Sequence, residues 1–421
     1  MRLPASLRRL LQDRKGSLLS TFSLSFLGIT VLTGGILDVG VAQSAKLDMQ
    51  QALDATALAV AKEGYGKTSA QIQSAADTHF RALFTNADVK NTTVTATMQS
   101  DDAGGSTVTV TGAGTVQTTF LSLAGIPTID VGATAVAAWG STRLRVALVL
   151  DNTGSMSNSG KLAALKTAGK NLLTQLQTAS KSAEDVYVSI IPFSRNVNVG
   201  TGNVSASWIR WTEWDAANGS YNWRGTWIPA SHSTWNGCVM DRDQDYDTKN
   251  TAPTTASSPT LYPAQQYSSC PVPVMALSND WTALNAKIDA MAAAGNTNQA
   301  IGLQWGWSSL TTGPLAVPAI DAKYKYQTVV ILLSDGLNTE NRWTSSTSSI
   351  DARQKKTCDN IKAAGIMVYT VQVNTGNDPK STLLEGCATD TSKFFYLTSA
   401  TQIISTFGTI GTSLSQLRLS K

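Results

Sequence analysis

The sequence predicts an α/β protein in three parts: an N-terminal transmembrane helix, a small α+β region, and a doubly wound, mostly parallel sheet carrying a long insert. Three observations lead there. Residues 17–37 hold no charged side chain and follow a basic cluster. Residues 38–140 pass from an alanine-rich helical pattern to β-branched alternation. From residue 141 to 421, short continuous apolar runs alternate with segments of helical periodicity, as a parallel sheet with crossover helices requires.

Arg2, Arg8, Arg9, Arg14 and Lys15 stand against Asp13 in the segment 1–16, which the charge asymmetry keeps in the cytoplasm. The chain has 33 basic and 29 acidic residues, so this segment accounts for the whole net charge of +4. The remainder is balanced and offers no basic face for nucleic acid. As a helix, residues 17–37 would extend about 32 Å, enough for a hydrocarbon core. Their serine and threonine hydroxyls can return hydrogen bonds to the helix backbone. Everything past about residue 40 is then expected outside the cytoplasm, in a single-pass protein. The competing expectation is a signal peptide cut near Gly40-Val41-Ala42, although the apolar stretch exceeds the usual length of about 7–15 residues.

The elements follow in order. A helix over 38–62 continues the span outward, with Leu47, Leu53, Leu58 and many alanines, and ends at Gly64 and Gly66. A short helix is expected over 69–84. Residues 94–98 and 107–110 read as a hairpin turning at Gly104-Gly105, with a third strand over 128–136. In the C-terminal part, strands are expected over 144–150, 186–193, 327–333, 366–373 and 394–397. Helices are expected over 160–176, 281–294, 298–310, 349–364 and 401–417. Between 196 and 280 the alternation stops, far beyond an ordinary loop length. Trp208, Trp211, Trp214, Trp223, Trp227 and Trp235 crowd this insert. They read either as a contact surface or as a small core of the insert's own. Cys238, Cys270, Cys358 and Cys387 are an even set, compatible with two bridges in an oxidising compartment. Pairing within each segment gives Cys238–Cys270 and Cys358–Cys387. No Cys-x-x-Cys spacing exists and His79 and His232 are isolated, so zinc ligation is not expected.

Residues 147–155 read Ala-Leu-Val-Leu-Asp-Asn-Thr-Gly-Ser, an apolar strand running into a turn where Asp151, Thr153 and Ser155 alternate. Thr297 lies far downstream in Gly-Asn-Thr-Asn-Gln-Ala, and Asp335 follows a second apolar run in Ile-Leu-Leu-Ser-Asp-Gly. Five oxygen-bearing side chains on three loops suit a hard cation such as Mg²⁺, or Mn²⁺ or Ca²⁺ in its place. Asp151 and Asp335 each follow a strand end, where ligands of such sheets bind. The plainer alternative is that both aspartates cap the helices that follow.

On these residues the chain, over roughly 143–420, resembles the von Willebrand factor A family. That family's metal-ion-dependent adhesion site has the form Asp-x-Ser-x-Ser with a distant Thr and a distant Asp. Asp151, Ser155, Thr297 and Asp335 match position by position; Thr153 replaces a serine and keeps its hydroxyl. The resemblance implies that Ser155 and Thr297 bind Mg²⁺ directly, Asp151 and Asp335 directly or through water, and Thr153 completes the shell. One position would stay open for a partner's carboxylate.

The N-terminal third resembles the TadG-like proteins of Flp (tight-adherence) pilus assembly. The resemblance rests on Asp13-Arg14-Lys15-Gly16 before the apolar run and on Gln50-Gln51-Ala52-Leu53-Asp54-Ala55-Thr56-Ala57-Leu58-Ala59 after it. Ile126-Pro127-Thr128-Ile129-Asp130-Val131 adds to it. Pilin-like relatives cut after a glycine carry Glu five residues on; here that position is Thr21, so such processing is not expected. The implied setting is the bacterial envelope, and the implied partners are pilus-assembly or surface proteins offering a carboxylate.

Other chemistries fit the residues less well. Gly154 to Gly160-Lys161-Leu162 fails as a phosphate loop: five residues separate the glycines, and Leu162 stands where Ser or Thr is required. Lys161 and Lys166 are then expected on the exposed face of the helix. Asp241, Asp243, Asp245 and Asp247 occupy alternate positions of a weak calcium loop, but Tyr246 replaces its glycine and Ala252 its final Glu. A metal-dependent hydrolase lacks a base-and-orienter pair near Ser155. A metal-independent scaffold, self-associating through its Ala/Gly-rich span as a homo-oligomer, remains the structural alternative.

Overall fold

The computed structural model describes residues 17–63, 67–100, 106–139, 142–180, 182–311, 313–322, 324–376 and 378–419. The basic segment 1–16 and the glycine signals at Gly64, Gly66 and Gly104-Gly105 lie outside the described residues. The chain divides into two compact units between Gly140 and Ser141.

In the first unit, one helix, α1 (Ser17–Glu63), contains both the uncharged stretch and the alanine-rich extension. Over its first part the large apolar side chains are exposed, among them Leu24, Phe26, Ile29 and Leu32. Thr30 and Thr33 donate to the carbonyls of Phe26 and Ile29, each at 2.8 Å, so their hydroxyls are satisfied within the helix. This is the helix among the described residues that is long and apolar enough to cross a membrane, its most apolar 18-residue stretch having a mean hydropathy of 1.8. Past Asp38 the same helix becomes one-sided. Ala42, Ala45, Met49, Ala52, Leu53, Ala57 and Val60 recur at three- and four-residue spacing and are buried. They pack, with Ile72, Ala76 and Phe80 of α2 (Ser69–Leu83), on an antiparallel sheet of β1 (Val89–Ser100), β2 (Ser106–Gln117) and β3 (Thr128–Trp139). A capping box between Thr68 and Gln71 starts α2.

The second unit is built on five parallel strands: β4 (Thr142–Asp151), β5 (Val186–Phe193), β13 (Lys325–Ser334), β14 (Met367–Val373) and β15 (Phe394–Leu397), in the order β15-β14-β13-β4-β5. Strand β4 is central and its side chains divide by parity. Leu144, Val146, Leu148 and Leu150 face a core shared with α3 (Lys161–Ala179), α5 (Trp281–Asp289) and α9 (Thr401–Leu419). Ala147 and Val149 face the other, with α6 (Gln299–Leu310) and α7 (Thr347–Ala363). Helix α6 lies unusually close to the sheet. A Cβ on Gly302 would stand 2.7 Å from the Phe193 ring, and one on Gly306 would stand 2.5 Å from Val149.

The insert is more ordered than its composition implied. It adds β6 (Val197–Asn198), β7 (Ile209–Arg210), β10 (Cys238–Val239) and β11 (Tyr262–Gln265) beyond β5, while β12 (Met275–Ser278) pairs antiparallel with β5. A short helix α4 (Thr212–Ala217) and a hairpin of β8 (Gly219–Tyr221) and β9 (Trp227–Pro229) complete it. Strands of two to four residues were missed because they are too short to show periodicity. Trp214 and Trp235 are buried in this part, with Trp211 edge-on to Trp235 at 5.3 Å, so the insert does have tryptophans in a core. Trp223 differs, being 86% exposed at the hairpin tip. The disulfides are Cys238–Cys270, within the insert, and Cys358–Cys387, between α7 and the short helix α8 (Thr382–Cys387).

Candidate metal centre

Asp151 ends β4 and is fully buried. Its Oδ1 accepts from the backbone N–H of Thr153 at 2.8 Å and from the Thr153 hydroxyl at 2.5 Å. Its Oδ2 accepts from the Ser334 hydroxyl at 2.6 Å. The Thr153 and Ser155 hydroxyls lie 3.1 Å apart, and Ser155 Oγ donates to Asp335 Oδ1 at 2.6 Å. Asp151, Thr153, Ser155 and Asp335 are therefore one continuous chain of oxygens, buried except at Ser155.

The Thr297 loop is joined to the Asp151 turn by its backbone, two residues before Thr297 itself. Gly154 N–H donates to the Gly295 carbonyl at 3.0 Å, binding the Asp151 turn to the segment just before Thr297. The Thr297 carbonyl accepts from Thr339 N–H at 2.9 Å, and its own N–H donates to the Thr339 hydroxyl at 2.8 Å. Thr297 is buried one residue ahead of Asn298, which caps α6. The seating of α6 on Val149 and Phe193 holds the Thr297 loop at the same end of the strands as Asp151.

Burial pushes the Asp151 carboxyl up from the usual range, and the neighbouring Asp335 charge adds to the rise; the bonds from Ser334 and Thr153 oppose it. Lys161 supplies positive charge. Its ammonium pairs with Asp335 Oδ2, and both side chains are buried. The expectation of an exposed Lys161 was therefore incorrect: the first residue of α3 turns inward to Asp335. A cation at a helix N-terminus is opposed by the helix dipole unless an acid compensates, and that was the available signal. Ser334 and Gln299 were also missed. Gln299 donates to the Ser334 hydroxyl at 3.1 Å and to the Gly336 carbonyl at 2.9 Å, fixing the turn that carries Asp335.

The acidic run of the insert does not form a calcium loop. Arg210 grips Asp243 with two bonds of 2.7 and 2.8 Å, and Arg342 reaches the same carboxylate at 2.6 Å. Arg353 takes Asp245 and Asp247. Asp241 turns away to Asn298, whose amide donates to both its oxygens at 3.1 and 2.9 Å. Guanidinium groups thus occupy the lone pairs a calcium ion would need, and among the described residues no three acidic, histidine or cysteine side chains converge on a point.

Residues 16–63 match the family described as Flp pilus-assembly TadE/G-like. Residues 262–409 match the von Willebrand factor type A domain, a span that includes Thr297 and Asp335 but not the Asp151 turn. No curated protein matches the chain. Among solved structures, the pilus adhesin SpaC of Lactobacillus rhamnosus GG is 14% identical with a TM-score of 0.40, over 79% of this chain and 35% of its own. The chain thus spans about a third of that adhesin. The vWF domain of the type V pili tip protein Mfa5 of Porphyromonas gingivalis is 11% identical with a TM-score of 0.40, over 66% of this chain and 97% of its own. Proximal thread matrix protein 1 of mussel byssus, solved with a zinc-occupied MIDAS motif, is 13% identical with a TM-score of 0.35, over 66% and 47%. This chain joins a TadE/G-like Flp pilus-assembly N-terminal region to a von Willebrand factor type A domain.

Proposed function

We propose that the protein is a membrane-anchored component of Flp/Tad-type pilus assembly or surface adhesion that grips a partner through a divalent cation held by Asp151, Thr153, Ser155, Thr297 and Asp335. The observation that carries this is the Ser155–Asp335 bond of 2.6 Å, which closes two distant loops into one oxygen cluster. The donor set fits a hard cation. Of the two buried carboxylates, one is paired with a buried ammonium: Asp335 Oδ1 is bonded to Ser155 while Lys161 holds Oδ2. When bound, Mg²⁺, or Mn²⁺ or Ca²⁺, would offer its remaining coordination position to a partner's carboxylate. The exposed Ser155 marks where such a group would approach.

The uncharged first part of α1 would anchor the chain in a bilayer, with the two disulfide-bonded loops on the extracytoplasmic side. One observation favours a second reading, a metal-independent scaffold: Lys161 already neutralises Asp335. Capture of envelope proteins by the full chain, with and without Mg²⁺ and beside Asp151→Ala, separates the two. Adhesion predicts capture that needs both the metal and Asp151. Capture indifferent to EDTA and to Asp151→Ala leaves the scaffold.

A further inference from the structure

The β2–β3 connection, residues 118–127, is bound to the outer end of the apolar helix rather than projecting from the sheet. Asp38, one residue past the uncharged stretch, accepts the N–H groups of Thr119, Phe120 and Leu121 at 3.1, 2.8 and 2.8 Å. Above it the Phe120 ring covers Gly34 so closely that a Cβ there would stand 2.2 Å from it; one on Gly35 would stand 2.8 Å from Leu121. At about 1.5 Å per residue, Gly34 and Gly35 lie within about 5 Å of the end of the span. The connection is thus level with the last turn of a helix whose other sides are exposed apolar residues, Leu32, Ile36 and Leu37 among them.

The connection is itself suited to that level. Residues 117–129 contain no charged side chain. Leu123 is 60% exposed and Ile126 is 48% exposed, at the tip of a tight turn. Gly125 at φ +85° and the bond from Ile126 N–H to the Leu121 carbonyl at 3.0 Å close that turn. The N–H groups of Thr118 to Leu121, and of Leu123, Gly125 and Ile126, have partners within the turn, on Pro127 or on Asp38. Internal satisfaction of the backbone is what a non-helical segment needs where water is scarce.

We propose that residues 118–127 form a second membrane-contacting element, with Leu123 and Ile126 inserted in the outer leaflet beside the helix. The occupant of this exposed apolar tip is lipid, because the surface continues the lipid-facing surface of the span. The proposal rests on the anchoring of α1 in a bilayer. It fixes how the first unit stands on the membrane, since one helix alone would leave it free to tilt.

The test uses the full chain in phosphatidylcholine vesicles, with single cysteines replacing Leu32, Leu83, Leu123 or Ile126 and carrying an environment-sensitive fluorophore. The described native cysteines are disulfide-bonded, so labelling is specific. Leu83, 50% exposed at the end of α2, serves as the aqueous control. The expected result is a blue shift, and quenching by nitroxide-bearing lipid, at Leu123→Cys and Ile126→Cys as at Leu32→Cys, but not at Leu83→Cys. Quenching at Leu32→Cys alone would overturn the proposal while keeping the anchor. No quenching at any position would remove the anchor and the proposal together.

Discussion

Lys161 and Asp335 are 174 residues apart in sequence, yet the ammonium of one lies on the carboxylate of the other with both side chains closed off from water. The pair joins the start of α3 to the end of β13, and it touches the oxygen cluster directly. A cation bound there, as proposed, would share Asp335 with Lys161.

Lys161→Met measures that sharing. Removing one partner of a buried pair strands the other charge, so unfolding of the full chain in EDTA should be easier by about 3–5 kcal/mol. Mg²⁺ should recover part of the loss in the variant and bind it more tightly than the wild type, as calorimetry would report. A variant that Mg²⁺ does not rescue would favour the scaffold.

Asp241 and Asp243 should give opposite pH dependences. Bonds from Arg210, against a smaller burial penalty, and from Arg342 hold Asp243 down to about 2. The unfolded carboxyl titrates near 3.9, so the Asp243 contribution is complete above about pH 4 and is lost as pH falls toward 2. Burial raises Asp241 to about 6, against the bonds from Asn298. Its folded form holds the proton more firmly, so its contribution is complete below about pH 4 and is lost as pH rises to 6. Chemical unfolding from pH 2 to 7 checks both. Asp243→Asn should be destabilised at neutral pH, with the gap to wild type closing in acid.

Two tryptophans of the insert should separate cleanly. Trp214 is buried beside Trp211, and Trp214→Ala should cost about 3–5 kcal/mol. Trp223→Ala, at an exposed tip, should stay within about 0.5 kcal/mol. Denaturant midpoints of the two variants provide the comparison, and partner capture by Trp223→Ala tests whether that one ring serves a contact surface.

The central parallel strands were legible because they are largely apolar runs covered on both faces. Val329 to Leu333 is fully buried, as is Leu144 to Leu150. Of the candidate site, the meeting of Ser155 and Asp335 was legible because both lie just past the ends of apolar strands. What stayed hidden depends on long-range partners. The helix dipole signals that Lys161 needs an acid but not that the acid is Asp335, and nothing in the alternating aspartates of the insert announces Arg210, Arg342 and Arg353. The helix expected over 281–294 ends at Asp289, and Ala294 N–H donates instead to the Asn152 carbonyl at 2.9 Å.

Asp241 belongs to the insert, while Asn298, which it holds by two bonds, caps the helix immediately after Thr297. The segment interrupting the parallel sheet is therefore wired into the rim it interrupts. If the rim grips a partner as proposed, it is complete only after this long excursion has folded, and damage confined to the excursion would blunt attachment without touching any candidate ligand.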